Sequence, residues 1–222
     1  MGTSYETVLA VADMEDICQL LDELDQEAVV AEAAPRRIAI VPGRGDFDAR
    51  ELARELSRRL AVSAAAWQVY DSDLVTAWIF AGGEQVHEYV SEQAVTVDVF
   101  EDDDGQFKVR IDGVLYPTDH APTSRGPAGA RVEQFLHLGS GQVDVEQLGR
   151  ALRGGPHTKD TPWLFAEQQH WLIIEALGLD PRLLACGFDD AVDALSAPTG
   201  IPGARHLGAR SPEDDFWTVP EA

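Results

Sequence analysis

A chain of 222 residues with 45% hydrophobic content can bury a substantial core without disulfide or metal staples. Its formal net charge of -22 works against nucleic acid, whose recognition needs Lys and Arg at the phosphates, and against anionic membrane surfaces. A basic protein partner, cations, or solubility alone are the roles left for so acidic a surface.

In chain order, residues 5–12 read as a strand with Val8, Leu9 and Val11 apolar. Asp13 is placed to cap a helix whose apolar stripe is Ile17, Leu20, Leu21 and Leu24. Two short strands follow, at 28–32 and 37–41, with Ala34-Pro35 as the turn and Pro42-Gly43-Arg44-Gly45 as the loop beyond. Asp48 with Glu51 forms a capping-box-like start to a second helix, with Leu52, Leu56 and Leu60 inward and a favourable Glu55–Arg59 pair.

Strands at 65–70, 74–81 and 84–90 are closed by Asp71-Ser72-Asp73 and Gly82-Gly83, the pattern of an antiparallel meander. A further hairpin, 95–100 with 106–112, turns at the acidic Glu101 to Gly105. Pro, Gly, Ser and Thr then make 117–131 a linker or long loop. Helical spacing returns at 144–153, closed by Gly154-Gly155-Pro156. Thr161-Pro162 opens another helix, which carries Phe165, Trp171, Leu172, Ile174 and Leu177 to its stop at Gly178.

The β-α-β-β-α-β order up to residue 70 is that of a split βαβ, or ferredoxin-like, unit. The predicted fold is therefore α+β: a ferredoxin-like start, extended by an antiparallel meander, with the helices of 144–178 packed on one face or edge of the sheet. The parts are a sheet region at 1–116, a linker or loop at 117–131, a helical region at 132–195 and a Pro/Gly-rich acidic tail at 196–222, within one compact domain.

Two cysteines, Cys18 and Cys186, make no disulfide framework, and Cys18 reads as a small buried hydrophobe on its helix. The start of the chain lacks a basic and apolar leader, and no apolar run approaches the roughly 18 residues of a membrane span. A reducing cytoplasm is the expected setting. Arg and Ala are abundant while lysine occurs only at Lys108 and Lys159, as in proteins from GC-rich bacterial genomes.

Motifs that carry chemistry are incomplete. Gly43-Arg44-Gly45 sits between strand and helix, where backbone N–H groups can hold a phosphate, but Asp48 stands at the third glycine of the dinucleotide fingerprint. The acids Asp98 and Glu101 to Asp104 have calcium-like composition, yet an EF-hand loop with Gly105 at its sixth position would begin at Phe100. Glu167 and His170 form one i,i+3 pair where a di-iron bundle needs two, and His170 reads as a helix-face residue beside Trp171. Gly139-Ser140-Gly141 is not a nucleophile elbow, and Asp71 with Asp73 read as turn formers. No catalytic constellation, metal site or cofactor site is assigned.

The meander Trp67 to Tyr89, with its Asp71-Ser72-Asp73 turn and Gly82-Gly83 pair, resembles a set of bacterial α+β proteins of no established activity. So does the late helix Phe165-Ala-Glu-Gln-Gln-His170 and its continuation to Leu179. The two segments cover about a fifth of the chain. The resemblance implies that both recur together in one fold, with the hairpin at 95–115 as an addition; it assigns no functional residue.

Charge is distributed unevenly. The first 35 residues hold nine acids and no Lys or Arg, whereas residues 36–59 hold seven arginines against four acids. The leading expectation is a non-catalytic binding module for a basic protein, with a toxin-neutralising immunity protein as its sharpest form. Its surfaces would be the acidic first 35 residues, the turn at 101–104 with Asp102, Asp103 and Asp104, and the tail residues Asp214, Asp215, Phe216 and Trp217, where aromatic anchors stand among acids. The alternative is a small-anion sensor or enzyme built on Arg36, Arg37, Gly43, Arg44 and Gly45. A third is an assembly subunit, a homo-oligomer docked through its tail.

Overall fold

A computed structural model describes residues 2–43, 45–93, 98–101, 104–111, 114–118, 126–154, 165–197 and 200–208. Strand β1 (Tyr5–Ala10) sends Tyr5, Thr7 and Leu9 to one face and Val8 and Ala10 to the other. After it come α1 (Met14–Glu23), β2 (Ala28–Ala34), β3 (Arg37–Pro42), α2 (Ala49–Leu60) and β4 (Ser63–Tyr70). Their sheet order, β2-β3-β1-β4 and antiparallel throughout, is that of a split βαβ unit. The meander adds β5 (Leu74–Ala81) and β6 (Glu84–Val90) on the β4 side.

Both faces of this sheet are covered. α1 and α2 lie on Val8, Ala10, Val30, Ile38, Ile40, Ala64, Ala66 and Phe80. The opposite face receives α3 (Val145–Leu152), α4 (Ala166–Ala176), α5 (Phe188–Ser196) and the short 3-10 turns Val132–Gln134 and Leu136–Leu138. Two-sided cover is why β2, β3 and β4 read as nearly unbroken apolar runs rather than as alternating ones. Trp67, at the centre of β4, is fully buried beneath the second layer.

Asp48 caps α2 through its carboxylate, which accepts from Glu51 N at 2.7 Å, and Asp144 caps α3 from Gln147 N at 2.9 Å. Asp13 holds the N-cap position of α1 with extended backbone, but its side chain makes no cap bond; Arg36 Nε lies 3.2 Å from it instead. The described part of α4 begins at Ala166, with Phe165 as N-cap, so Thr161-Pro162 falls outside the described residues.

The later hairpin does not extend the main sheet. β7 (Asp98–Glu101), β8 (Phe107–Ile111) and β9 (Val114–Pro117) make an antiparallel sheet of their own. Within the expected tail, β10 (Arg205–Leu207) pairs with β2 and closes that edge of the main sheet. It is anchored by Arg205 to Glu15 at 2.8 Å and by His206 to Glu27 at 3.1 Å. No helix among the described residues is long and apolar enough to cross a membrane.

Candidate functional site

The outer surface of α1 is acidic for a local reason. Ile17, Cys18, Leu20 and Leu21 turn into the core, which leaves Glu15, Asp16, Gln19, Asp22 and Glu23 outside. Asp22 and Glu23 occupy its last turn and Asp25 follows it, with no basic residue there. Carboxylates at this end oppose the helix dipole, at a cost of about 0.3–1 kcal/mol each. Among the described residues no cation pairs with Asp16, Asp22 or Asp25.

Where α1 meets α2 the surface opens into a groove of about 320 Å³. Its floor is Leu20 and Leu60, and its rim is Asp16, Gln19, Glu23 and Arg59. Arg59 is already committed: its Nε is 2.5 Å from Glu55 and its Nη1 3.7 Å from Glu23. Glu55, flanked by Arg58 and Arg59, is held down to about 2. An apolar floor with an acidic rim matches the two ends of a Lys or Arg side chain, an aliphatic stem and a cationic head. The spacing of Asp16, Gln19 and Glu23 along α1 was visible in the sequence, but the floor needs α2 beside it.

The arginine-rich segment is not gathered into one anion site. Arg36 precedes β3, Arg37 begins it, and Gly43 and Gly45 follow it, so on the order of 20 Å of strand separates the two pairs. Arg37 Nε donates to the carbonyls of Leu138 at 2.9 Å and Gly139 at 3.1 Å, which ties the second layer to the sheet. A Cβ on Gly43 would strike the Phe188 ring, and one on Gly45 the Gln26 amide. These glycines serve close packing, not an open phosphate cradle. Arg44 lies outside the described residues.

Three other arginines do line up. Arg50, Arg54 and Arg58 succeed one another at i, i+4 and i+8 along α2, beside β5 and β6. The Arg50 guanidinium lies 4.9 Å from the Trp78 ring centre and that of Arg54 5.4 Å from Phe80. Arg50 Nη2 donates to Gln85 at 2.7 Å, while its Nε is buried without a partner among the described residues. Arg58 binds Glu55, but no carboxylate pairs with Arg50 or Arg54 among the described residues.

Under the second layer lies a buried polar cluster that joins the meander to α4. His170 faces the sheet and is fully buried, not on the outer helix face beside Trp171, which is 39% exposed. Its Nδ1 shares a 3.0 Å hydrogen bond with Tyr5 Oη, and its ring lies between Tyr5 and Trp67. Burial holds this imidazole down to about 3 and pushes the Tyr5 phenol up, helped by Glu167 and Cys186. His170 Nε2, Trp67 Nε1 and Glu167 Oε2 have no partner among the described residues. Ser72 joins the parts: its carbonyl accepts from Ala166 N at 2.9 Å and its hydroxyl donates to Glu167 at 3.3 Å.

Asp104 stands exposed in the β7–β8 turn. Asp102, Asp103, Asp214, Asp215, Phe216 and Trp217 lie outside the described residues. Among the described residues no group of three His, Cys, Asp or Glu side chains gathers in a metal-holding arrangement. Comparison of the chain with family models, with curated proteins and with solved structures gives no match.

Proposed function

We propose that this chain is a binding module for a basic protein, and that the groove between α1 and α2 seats a lysine or arginine side chain of that partner. The reading rests on one observation above all. Asp22, Glu23 and Asp25 crowd the carboxyl end of α1, where the helix dipole disfavours them, beside a groove with an apolar floor. A charge placement that weakens the fold is understandable if a cationic partner relieves it on binding. Neutralising a toxic basic partner by covering it is the sharpest form of this role. The two free thiols, Cys18 and Cys186, suit a reducing cytoplasm as its setting.

The test uses the full chain and its Asp16→Asn/Asp22→Asn/Glu23→Gln variant as baits in lysate of the native cell, at low and moderate salt. One stoichiometric basic protein, held by the wild type, weakened by salt and lost by the variant, is the expected result. Equal capture by both baits would remove the groove from the account.

A further inference from the structure

Glu23, on the rim of the groove, has two neighbours of unequal strength. Its Oε1 accepts from Gln19 Nε2 at 2.9 Å, one helical turn away, which fixes the carboxylate on the α1 wall. Its Oε2 faces Arg59 Nη1 at 3.7 Å, too long for a hydrogen bond, so charge alone holds that pair. Arg59 is anchored elsewhere. Its Nε donates to Glu55 Oε1 at 2.5 Å, and the Glu55 side chain is 16% exposed against 50% for Glu23. Arg58 donates to the same carboxylate, from Nε at 2.9 Å and from Nη2 at 2.6 Å.

The groove thus already contains a cation of its own. Arg59 comes from α2 and offers Glu23, on α1, the charge that a partner's basic side chain would offer, but with an incomplete contact. Its bond to Glu55 does not depend on Glu23, so Arg59 can give up Glu23 and stay neutralised. Asp16, on the same rim, has no internal cation among the described residues.

We propose that Arg59 is an internal competitor for the basic side chain seated in this groove: the incoming cation takes Glu23 Oε2, while Arg59 remains on Glu55. The inference rests on the groove reading above and adds how that site selects. A bare acidic rim would take any cation. A rim with a resident guanidinium yields to a side chain that makes direct hydrogen bonds to Glu23, and the exchange lowers the affinity for every weaker cation.

Fluorescence anisotropy of a short arginine-rich peptide with the full chain, at an ionic strength of about 0.01 M, tests this. Arg59→Gln should bind several-fold more tightly than the wild type. Arg54→Gln removes the same charge from an exposed site of α2 outside the groove and should change affinity far less. Glu55→Gln frees Arg59 to commit to Glu23 and should weaken binding, whereas in the Arg59→Gln background the same substitution should have little effect. Arg58 keeps its bond to Glu55 when Arg59 is replaced, so the fold survives, as the thermal transition checks. Equal tightening in Arg59→Gln and Arg54→Gln would reduce the effect to net charge and overturn the proposal. Weaker binding by Arg59→Gln would also overturn it, by making Arg59 part of the seat. Saturable binding with the same affinity in wild type and Arg59→Gln would sink this inference and leave the groove reading standing; no saturable binding by either would sink both.

Discussion

The rings of Trp67 and His170 lie one on the other, with centroids 4.9 Å apart and planes inclined by 29°. The contact locks α4 to the middle of the sheet and keeps the imidazole in a site that water does not reach. An unfolded chain would hold that histidine near 6.5, while the fold holds it near 3.

This difference makes stability fall in acid. The native state favours the neutral ring, so the His170 contribution is complete above about pH 6.5 and is lost as pH falls towards 3. Between pH 7 and pH 4 the loss is on the order of 3 kcal/mol. Denaturant unfolding across this range should show a shallower acid limb in His170→Asn than in the wild type. Parallel limbs would place the acid sensitivity elsewhere.

Tyr89 and Gln169 form the second bridge between the layers. The Gln169 amide donates to Tyr89 Oη at 3.0 Å and to the Ala151 carbonyl at 2.8 Å, and Tyr89 Oη donates to the Leu152 carbonyl at 3.0 Å. Gln169→Leu removes two buried hydrogen bonds, although the Ala151 carbonyl still accepts from Gly154 N at 3.0 Å, and should cost about 1–3 kcal/mol. A double-mutant cycle with Tyr89→Phe should show coupling; additive effects would mean that the two side chains act independently.

α2 ends on Ala61 at φ 52°, the left-handed region in which alanine is strained and glycine is not. The site is exposed, so Ala61→Gly should raise stability by about 0.5–1 kcal/mol in chemical denaturation. An unchanged or lower midpoint would contradict a left-handed cap there.

Much of the core fold was legible because its signals are local. The turns Asp71-Ser72-Asp73 and Gly82-Gly83 bracket strands long enough to read, and Asp48 announces α2. β10 was not legible: three residues show no periodicity, and Arg205 and His206 are placed by Glu15 and Glu27, far away in sequence. α4 was misread at His170 because the helix buries a histidine and a glutamine while leaving Trp171 part-exposed, the reverse of the usual preference. The arginines of α2 were visible as charge, but their aromatic seats depend on the register that brings Trp78 and Phe80 alongside. The groove joins residues of two helices that only the fold brings together.

If the acids at the end of α1 serve binding, removing them should trade function for stability. Asp22→Asn with Asp25→Asn should raise unfolding stability by a few tenths to about 1 kcal/mol per site while slowing association with a basic partner. A destabilised variant would show that these carboxylates support the fold instead.

The most direct measurement is an amide-resolved NMR titration of the full chain with a short arginine-rich peptide, at ionic strengths of about 0.01 M and 0.15 M. The account predicts that Asp16, Gln19, Leu20, Glu23 and Leu60 shift first and saturate together, and that salt weakens the response. Shifts spread evenly over the acidic surface, or centred away from α1 and α2, would contradict a seat for a basic side chain in that groove.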